Sequence, residues 1–212
     1  MRQADARILV FAKPPLAGYS KRRLIPALGP RGAARLHAEL VHRTLATATA
    51  AQLAPVELWC AQQTGHAFFR HCLDRFPIRL KQQQGDDLGQ RMAHAFQVTL
   101  TEAKHVLLIG CDCPALTAAD LDAALHSLRQ GNACVLKPAE DGGYVLIGLS
   151  RFDAALFADL PWGGCHVMST TRARLAALDW RWQALATSWD VDRPEDLERL
   201  KKSGLPIAVD YQ

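Results

Sequence analysis

Short runs of consecutive apolar residues, each followed by a stretch with helical periodicity, set the strongest constraint on this chain. Arg7–Ala12, Val56–Cys60, Ile78–Lys81, His105–Gly110 and Ala133–Lys137 are such runs. Between them, Leu36, Leu40, Thr44, Leu45 and Ala48 recur at helical spacing within Arg31–Ala51, a shorter helix is predicted around His66–Leu73, and Leu88, Met92, Ala95, Phe96 and Leu100 mark another amphipathic helix. Thr117 and Asp120 form a capping box ahead of Leu121, Leu125 and Leu128, and Gly131 ends that helix. A strand that is apolar throughout, rather than at alternate positions, must be covered on both faces, which is the condition of a parallel sheet between two helical layers. The expected class is therefore α/β, three layers, with a mostly parallel mixed central sheet. After residue 137 the spacing predicts a strand at Tyr144–Leu149, a helix near Thr171–Leu178 and a strand near Trp182–Ala186. A final helix is expected from Pro194, with Asp192 as its cap and Glu195 and Asp196 in the first turn.

With 212 residues, 49% hydrophobic and 22% charged, and no Pro/Gly/Ser-rich linker, the chain suits a single domain over 1–212. The net charge of +4 is too small to imply a nucleic-acid binder, and the aromatic residues do not interleave with the basic segment as single-strand binding would require. Charge is nevertheless uneven. Residues 1–43 carry nine Lys/Arg against two Asp/Glu, so one end of the chain is built either to meet an anion or to be solvated. No apolar run approaches the ~20 residues of a membrane-spanning helix, and Ile8–Ala12 is too short for a secretory signal. Of the cysteines, at 60, 72, 111, 113, 134 and 165, only Cys111 and Cys113 are close, and no second pair completes a four-ligand zinc site. The expectation is a cytoplasmic protein with reduced thiols and no membrane insertion; a homodimer is compatible with the sequence.

In open α/β sheets ligands bind beyond the carboxyl ends of strands, which directs attention to four loops. The first, after Ala12, brings Lys13, Gly18, Lys21, Arg22 and Arg23 together; its glycine and cations suit phosphates, although neither the Walker A nor the dinucleotide glycine spacing is present. Its plain alternative is a solvated basic loop. Gly85-Asp86-Asp87-Leu88-Gly89, with Arg91 one turn further, offers backbone N–H groups to a base or ribose, or is an ordinary helix entry. Asp112 stands just past the strand His105–Gly110, where a lone carboxylate suits a hard divalent cation bridging phosphates, or else caps the turn at Pro114. Asp141-Gly142-Gly143-Tyr144 reads as a ligand-contacting carboxylate and flexible backbone, or as a hairpin link. Asp190 and Asp192 form a late acidic pair with the same ambiguity. No Ser-His-Asp or Cys-His nucleophilic arrangement is visible, and His37, His42 and His94 fall within amphipathic helices.

Taken in order, these stretches resemble the small bacterial GT-A-fold proteins of the nucleotide-diphospho-sugar transferase superfamily, of the rSAM/selenodomain-associated transferase type. The resemblance rests on Phe11-Ala12-Lys13-Pro14-Pro15 with Gly18 to Leu24, Gly85 to Met92, Gly110-Cys111-Asp112-Cys113-Pro114, Asp141 to Leu149 and Trp189 to Leu197, and it covers residues 7–200. It implies a nucleotide held by Ala12, Lys13, Gly18, Lys21 and Arg23 together with Gly85, Asp87, Gly89 and Arg91. It also implies Mg²⁺ or Mn²⁺ at Asp112, completed by Asp190 or Asp192, and an acceptor site at Gly142, Gly143, Tyr144 and Trp162. The chain departs from the family pattern where Ser20-Lys21-Arg22-Arg23 replaces Val-Lys-Thr-Arg, where Trp162-Gly163-Gly164 replaces Trp-Ser-Thr, and where Gly110 precedes Asp112 in place of a second aspartate.

The first functional expectation is a metal-dependent glycosyltransferase-like enzyme that moves a sugar from a nucleotide-sugar donor to a small-molecule acceptor. Lys13, Lys21 and Arg23 neutralise the diphosphate in this reading, and Asp141 or Asp190 acts on the acceptor hydroxyl. An alternative is a guanylyl- or cytidylyl-type nucleotidyltransferase that takes an NTP and releases pyrophosphate. A second is a non-catalytic nucleotide-binding or scaffold domain.

Overall fold

The computed structural model describes residues 5–62, 64–205 and 207. The ends of the domain expected over 1–212 therefore lie outside the described residues.

Among the described residues seven strands form one mixed sheet in the order β3-β2-β1-β4-β6-β5-β7. They are β1 (Ala6–Ala12), β2 (Val56–Cys60), β3 (Ile78–Gln82), β4 (His105–Ile109), β5 (Cys134–Pro138), β6 (Tyr144–Leu149) and β7 (Trp182–Ala184). The pairs β1/β2, β2/β3, β1/β4 and β5/β7 are parallel, and only β6 runs against its neighbours β4 and β5. Every residue of β1, β2 and β5 is buried, which is why those segments read as apolar runs interrupted only by Arg7, Glu57 and Lys137.

Among the described residues six helices cover the sheet: α1 (Ile25–Ala50), α2 (Ala67–Arg75), α3 (Leu88–Thr99), α4 (Ala118–Arg129), α5 (Val167–Ala177) and α6 (Pro194–Lys202). Ile8 and Val10 of β1 pack with Val41 and Leu45 of α1, Phe69 of α2 and Leu121 and Leu125 of α4 on one face. Leu9 and Phe11, the alternate positions, pack with Met92 and Phe96 of α3 and Met168 and Leu175 of α5 on the other. A third cluster joins Leu28 and Leu36 of α1 to Val191 and to Leu197 and Leu200 of α6. Among the described residues no helix is long and apolar enough to cross a membrane.

Three local expectations are corrected. Helix α1 begins at Ile25, several residues before the first apolar repeat, because Pro26 suits a first turn and Gly29, at φ 66, absorbs a kink ahead of Pro30. Helix α5 starts at Val167 rather than near Thr171. Asp192 does not cap α6: Arg193 holds the cap position, and Asp196 reaches back to accept hydrogen bonds from the backbone N–H groups of Asp192 and Arg193. That frees the Asp192 side chain for another partner.

Candidate active site

The basic first loop is a self-knit turn. Ser20 Oγ donates to the Pro14 carbonyl and accepts from the Leu16 N–H, and the Tyr19 and Ser20 N–H groups both donate to the Leu16 carbonyl. The turn delivers Lys21 in a left-handed conformation, φ 49 and ψ 47. A non-glycine residue there is strained, and something must hold it. The holding group is the Lys21 side chain itself, buried to 2% exposure, whose Nζ donates to the Val191 carbonyl at 2.5 Å and lies 2.7 Å from Asp112 Oδ1.

Asp112 follows β4, beside the carboxyl end of β1, as expected from the sheet order. Its carboxylate is half-exposed. Burial works to raise its pKa, but the Lys21 ammonium beside it holds the carboxyl below the usual range. His37, on α1, is buried and neutral, its pKa lowered mainly by burial. Its Nε2 donates to the Lys13 carbonyl at 3.0 Å, which leaves Nδ1 as an unprotonated lone pair without a hydrogen-bond partner, 4.0 Å from Asp112 Oδ1. The sequence pattern gave His37 only a place on a helix.

The late acidic pair arrives through backbone pairing. The segment after β7 runs parallel to the end of β5, with Ser188 bonded to Pro138 and Glu140, and the Val191 N–H donates to the Asp112 carbonyl at 2.8 Å. Asp190 is thereby set near Asp141 and Asp112. Partial burial, then Asp141 and then Asp112, push its carboxyl up to about 6. Asp192 instead forms a short ion pair with Arg23. Asp141 Oδ1 accepts from the Gly143 N–H at 2.9 Å, so the turn reading of this motif and its place in the cleft are both realised.

Lys21, Arg23 and the four carboxylates Asp112, Asp141, Asp190 and Asp192 face one cleft of about 510 Å³, within the usual size of a small-ligand site. Of the residues singled out from the sequence, Lys13, Lys21, Arg23, Asp112, Asp141, Gly143, Tyr144, Trp162, Asp190 and Asp192 line it, and Ala12, Gly18, Gly85, Asp87, Gly89, Arg91 and Gly142 do not. The 85–91 stretch is bound up with its own helix. Asp87 caps α3 through the Gln90 N–H, Arg91 donates to the Gly85 and Asp86 carbonyls, and a side chain at Gly89 would strike the Trp162 indole nitrogen at 2.4 Å. Gly142 is closed in a similar way by the Cys165 carbonyl. Arg22, one of the loop cations expected to suit phosphate, also lines the cleft. Among the described residues neither Arg22 nor Lys13 has an ion-pair partner, so these two are the cations left for a ligand.

A family model described as an uncharacterized protein conserved in bacteria (DUF2064) matches residues 44–164, more than half of the chain. The chain belongs to this family. No curated protein matches it. Among solved structures, this DUF2064 chain is similar to a protein of Desulfovibrio desulfuricans G20 provisionally named a nucleotide-diphospho-sugar transferase. The two share 29% identity at TM-score 0.86, over 96% of this chain and 89% of that one. At 14% identity and TM-score 0.58, a CMP:2-keto-3-deoxy-manno-octonic acid synthetase solved with CTP matches 94% of this chain and 98% of its own. Rv0371c of Mycobacterium tuberculosis H37Rv, solved with manganese, matches 94% and 99% at 20% identity and TM-score 0.54. The last two likenesses are of fold. This DUF2064 member has the nucleotide-diphospho-sugar transferase-like fold that its motifs resembled.

Proposed function

We propose that this DUF2064 protein is a transferase that binds a nucleotide sugar and passes the sugar to a hydroxyl of a small acceptor. One observation carries the reading: the unpaired cations Lys13 and Arg22 and the carboxylates Asp112, Asp141 and Asp190 share a single cleft at the carboxyl ends of the strands. Lys21 and Arg23 are already neutralised by Asp112 and Asp192, which leaves two cations for phosphate. Two suit a diphosphate better than the triphosphate of an NTP, and this favours sugar transfer over nucleotidyl transfer.

A divalent cation is compatible with the residues present. Asp112 offers a half-exposed carboxylate, all the acidic side chains of the cleft are hard oxygen donors, and the lone pair of His37 Nδ1 stands unanswered beside Asp112. Among the described residues no three side chains converge to hold an ion unaided, so phosphate oxygens and water would complete its shell, as is usual for Mg²⁺. Held at Asp112, such an ion would supply charge neutralisation of the departing nucleoside diphosphate.

Lys13 and Arg22 bind and orient the diphosphate, and Lys21 keeps the loop against β4. Asp190, with its carboxyl lifted toward neutrality, takes the proton of the acceptor hydroxyl. The acceptor oxygen forms a bond to the anomeric carbon, the bond from that carbon to the diphosphate oxygen breaks, and the bonding pair leaves with the nucleoside diphosphate. Calorimetry with UDP-, GDP- and CDP-sugars in the presence of Mn²⁺ tests the reading. Binding of at least one, weakened about tenfold or more in Arg22→Ala, supports it. Pyrophosphate release from an NTP would replace it with nucleotidyl transfer, and no binding at all would leave a scaffold domain.

A further inference from the structure

The inner half of the cleft is chemically unlike its rim. Phe11 of β1, Leu108 of β4, Val145 and Ile147 of β6, Met92 of α3 and Trp162 line it. The three strands lie side by side, Leu9 and Leu108 pairing across β1/β4 and Leu108 and Ile147 across β4/β6. Their α3-facing side chains therefore form a continuous apolar floor. At one point the floor has no side chain. Gly110, whose N–H donates to the Val145 carbonyl, also lines the cleft, and a Cβ built there meets nothing within 4 Å. These side chains are otherwise packed in the core, and the small faces they leave uncovered border a hollow above a glycine.

Trp162 closes one wall and is itself fixed. Its indole sits over Gly89 and meets the Tyr144 ring edge-to-face, centroids 6.4 Å apart. The Tyr144 hydroxyl is engaged with Thr171, and burial raises its pKa, so it stays neutral. A nucleobase is recognised by hydrogen bonds along its edge, and side chains that could supply them stand at the rim of this cleft, not on its floor. Water gains little there either.

We propose that this chamber is the acceptor subsite, and that the acceptor is an alcohol whose body is an apolar ring or branched hydrocarbon. Its hydroxyl points outward to Asp190 and Asp141. The assignment of the chamber to the acceptor rests on the nucleotide-sugar reading above. Burial of the hydrocarbon away from water supplies the affinity.

The experiment uses cyclohexylmethanol, geraniol and glycerol as probes in ligand-observed NMR, beside calorimetry of the nucleotide sugar. Wild-type protein is expected to bind the two apolar alcohols and not glycerol. Gly110→Val, which fills the hollow, is expected to weaken the apolar probes about tenfold or more, with Gly110→Ala intermediate. Nucleotide-sugar affinity should stay within about twofold of wild type in both. Should Gly110→Val not fold, Gly110→Ala and Met92→Trp carry the same comparison, with melting curves as the check. Preference for glycerol, or unchanged probe binding in the filled variants, overturns the proposal. So does loss of nucleotide-sugar binding with displacement of the probes by free UMP or GMP, which would make the chamber a base site. Failure of every nucleotide sugar to bind wild-type protein is a separate result and removes the transferase reading, whatever the alcohols do.

Discussion

Lys21 Nζ and Asp112 Oδ1 lie 2.7 Å apart, and the two partners are unequally buried: the lysine side chain is 2% exposed and the aspartate 47%. The inequality predicts an asymmetry between variants. Removing Asp112 strands a buried ammonium whose remaining partner is one carbonyl. Removing Lys21 leaves a carboxylate that water can reach. Asp112→Ala is therefore expected to lower unfolding free energy by about 3 kcal/mol and Lys21→Met by about 1 to 2 kcal/mol. Urea denaturation of the metal-free protein measures both, and equal losses would contradict this account of the pair.

Arg22 and Arg23 are neighbours with different engagements. Arg23 is paired with Asp192, and Arg22 has no acidic partner among the described residues. A charge-assisted bond to phosphate is worth about 1.5 to 3 kcal/mol, so Arg22→Ala should weaken nucleotide-sugar binding about tenfold or more and reduce its salt dependence. Arg22→Ala should leave stability nearly unchanged, because among the described residues its side chain makes no hydrogen bond or ion pair. Arg23→Ala should act more weakly on the nucleotide. Calorimetry at two salt concentrations separates the two, and an equal effect of both arginines would count against the division of labour.

Asp190 makes stability depend on pH. Its carboxyl is raised from 3.8 to about 6 in the folded protein, by burial first and then by Asp141 and Asp112. Between those values the folded state binds more protons than the unfolded chain, so this group makes the protein less stable as pH rises through that window, with no further loss above it. Asp190→Asn removes the effect. Allowing for solvent screening at a partly exposed site, the variant should gain about 1 to 2 kcal/mol on wild type between pH 4 and pH 7. Paired urea titrations in chelator, compared as a difference, isolate this group from the others that titrate there. Parallel curves would show that the carboxylates do not repel as their positions require.

Much of this arrangement was legible in the chain, and the reasons differ by residue. The strands announced themselves because burial on both faces demands apolar residues at nearly every position, as in β1 and β2, where Arg7 and Glu57 are the exceptions. Asp112 could be placed at a strand end for the same reason. What the pattern could not supply was pairing across distance. Lys21 and Arg23 looked like free phosphate ligands because their partners lie far along the chain, at 112 and 192. Asp192 looked like a helix cap because Asp196, which does the capping from inside the first turn, is an equally ordinary sequence choice. His37 sits at a helical position that any core residue could take, and only the tertiary approach of Lys13 and Asp112 gives it a role. Glycines were the least legible, since the sequence does not say whether the missing side chain leaves room for a ligand, for a neighbour or for nothing.

Gly89 and Gly110 divide along that line, and they yield the sharpest contrast in stability. Gly89 lies in the first turn of α3, where exchanging glycine for alanine in a helix ordinarily adds up to about 1 kcal/mol. Here the added carbon would meet the Trp162 indole nitrogen at 2.4 Å and the Phe157 carbonyl at 2.6 Å, and the second of these is backbone. The sign should reverse. Gly89→Ala is expected to cost about 2 kcal/mol, by overpacking, and to shift Trp162. Gly110→Ala adds its carbon to empty space in a conformation open to any residue, and should be neutral or slightly stabilising. Melting temperatures and tryptophan emission of the two variants are the measurement. A stabilised Gly89→Ala would mean that Trp162 does not rest on α3, and the wall of the cleft would then have to be drawn elsewhere.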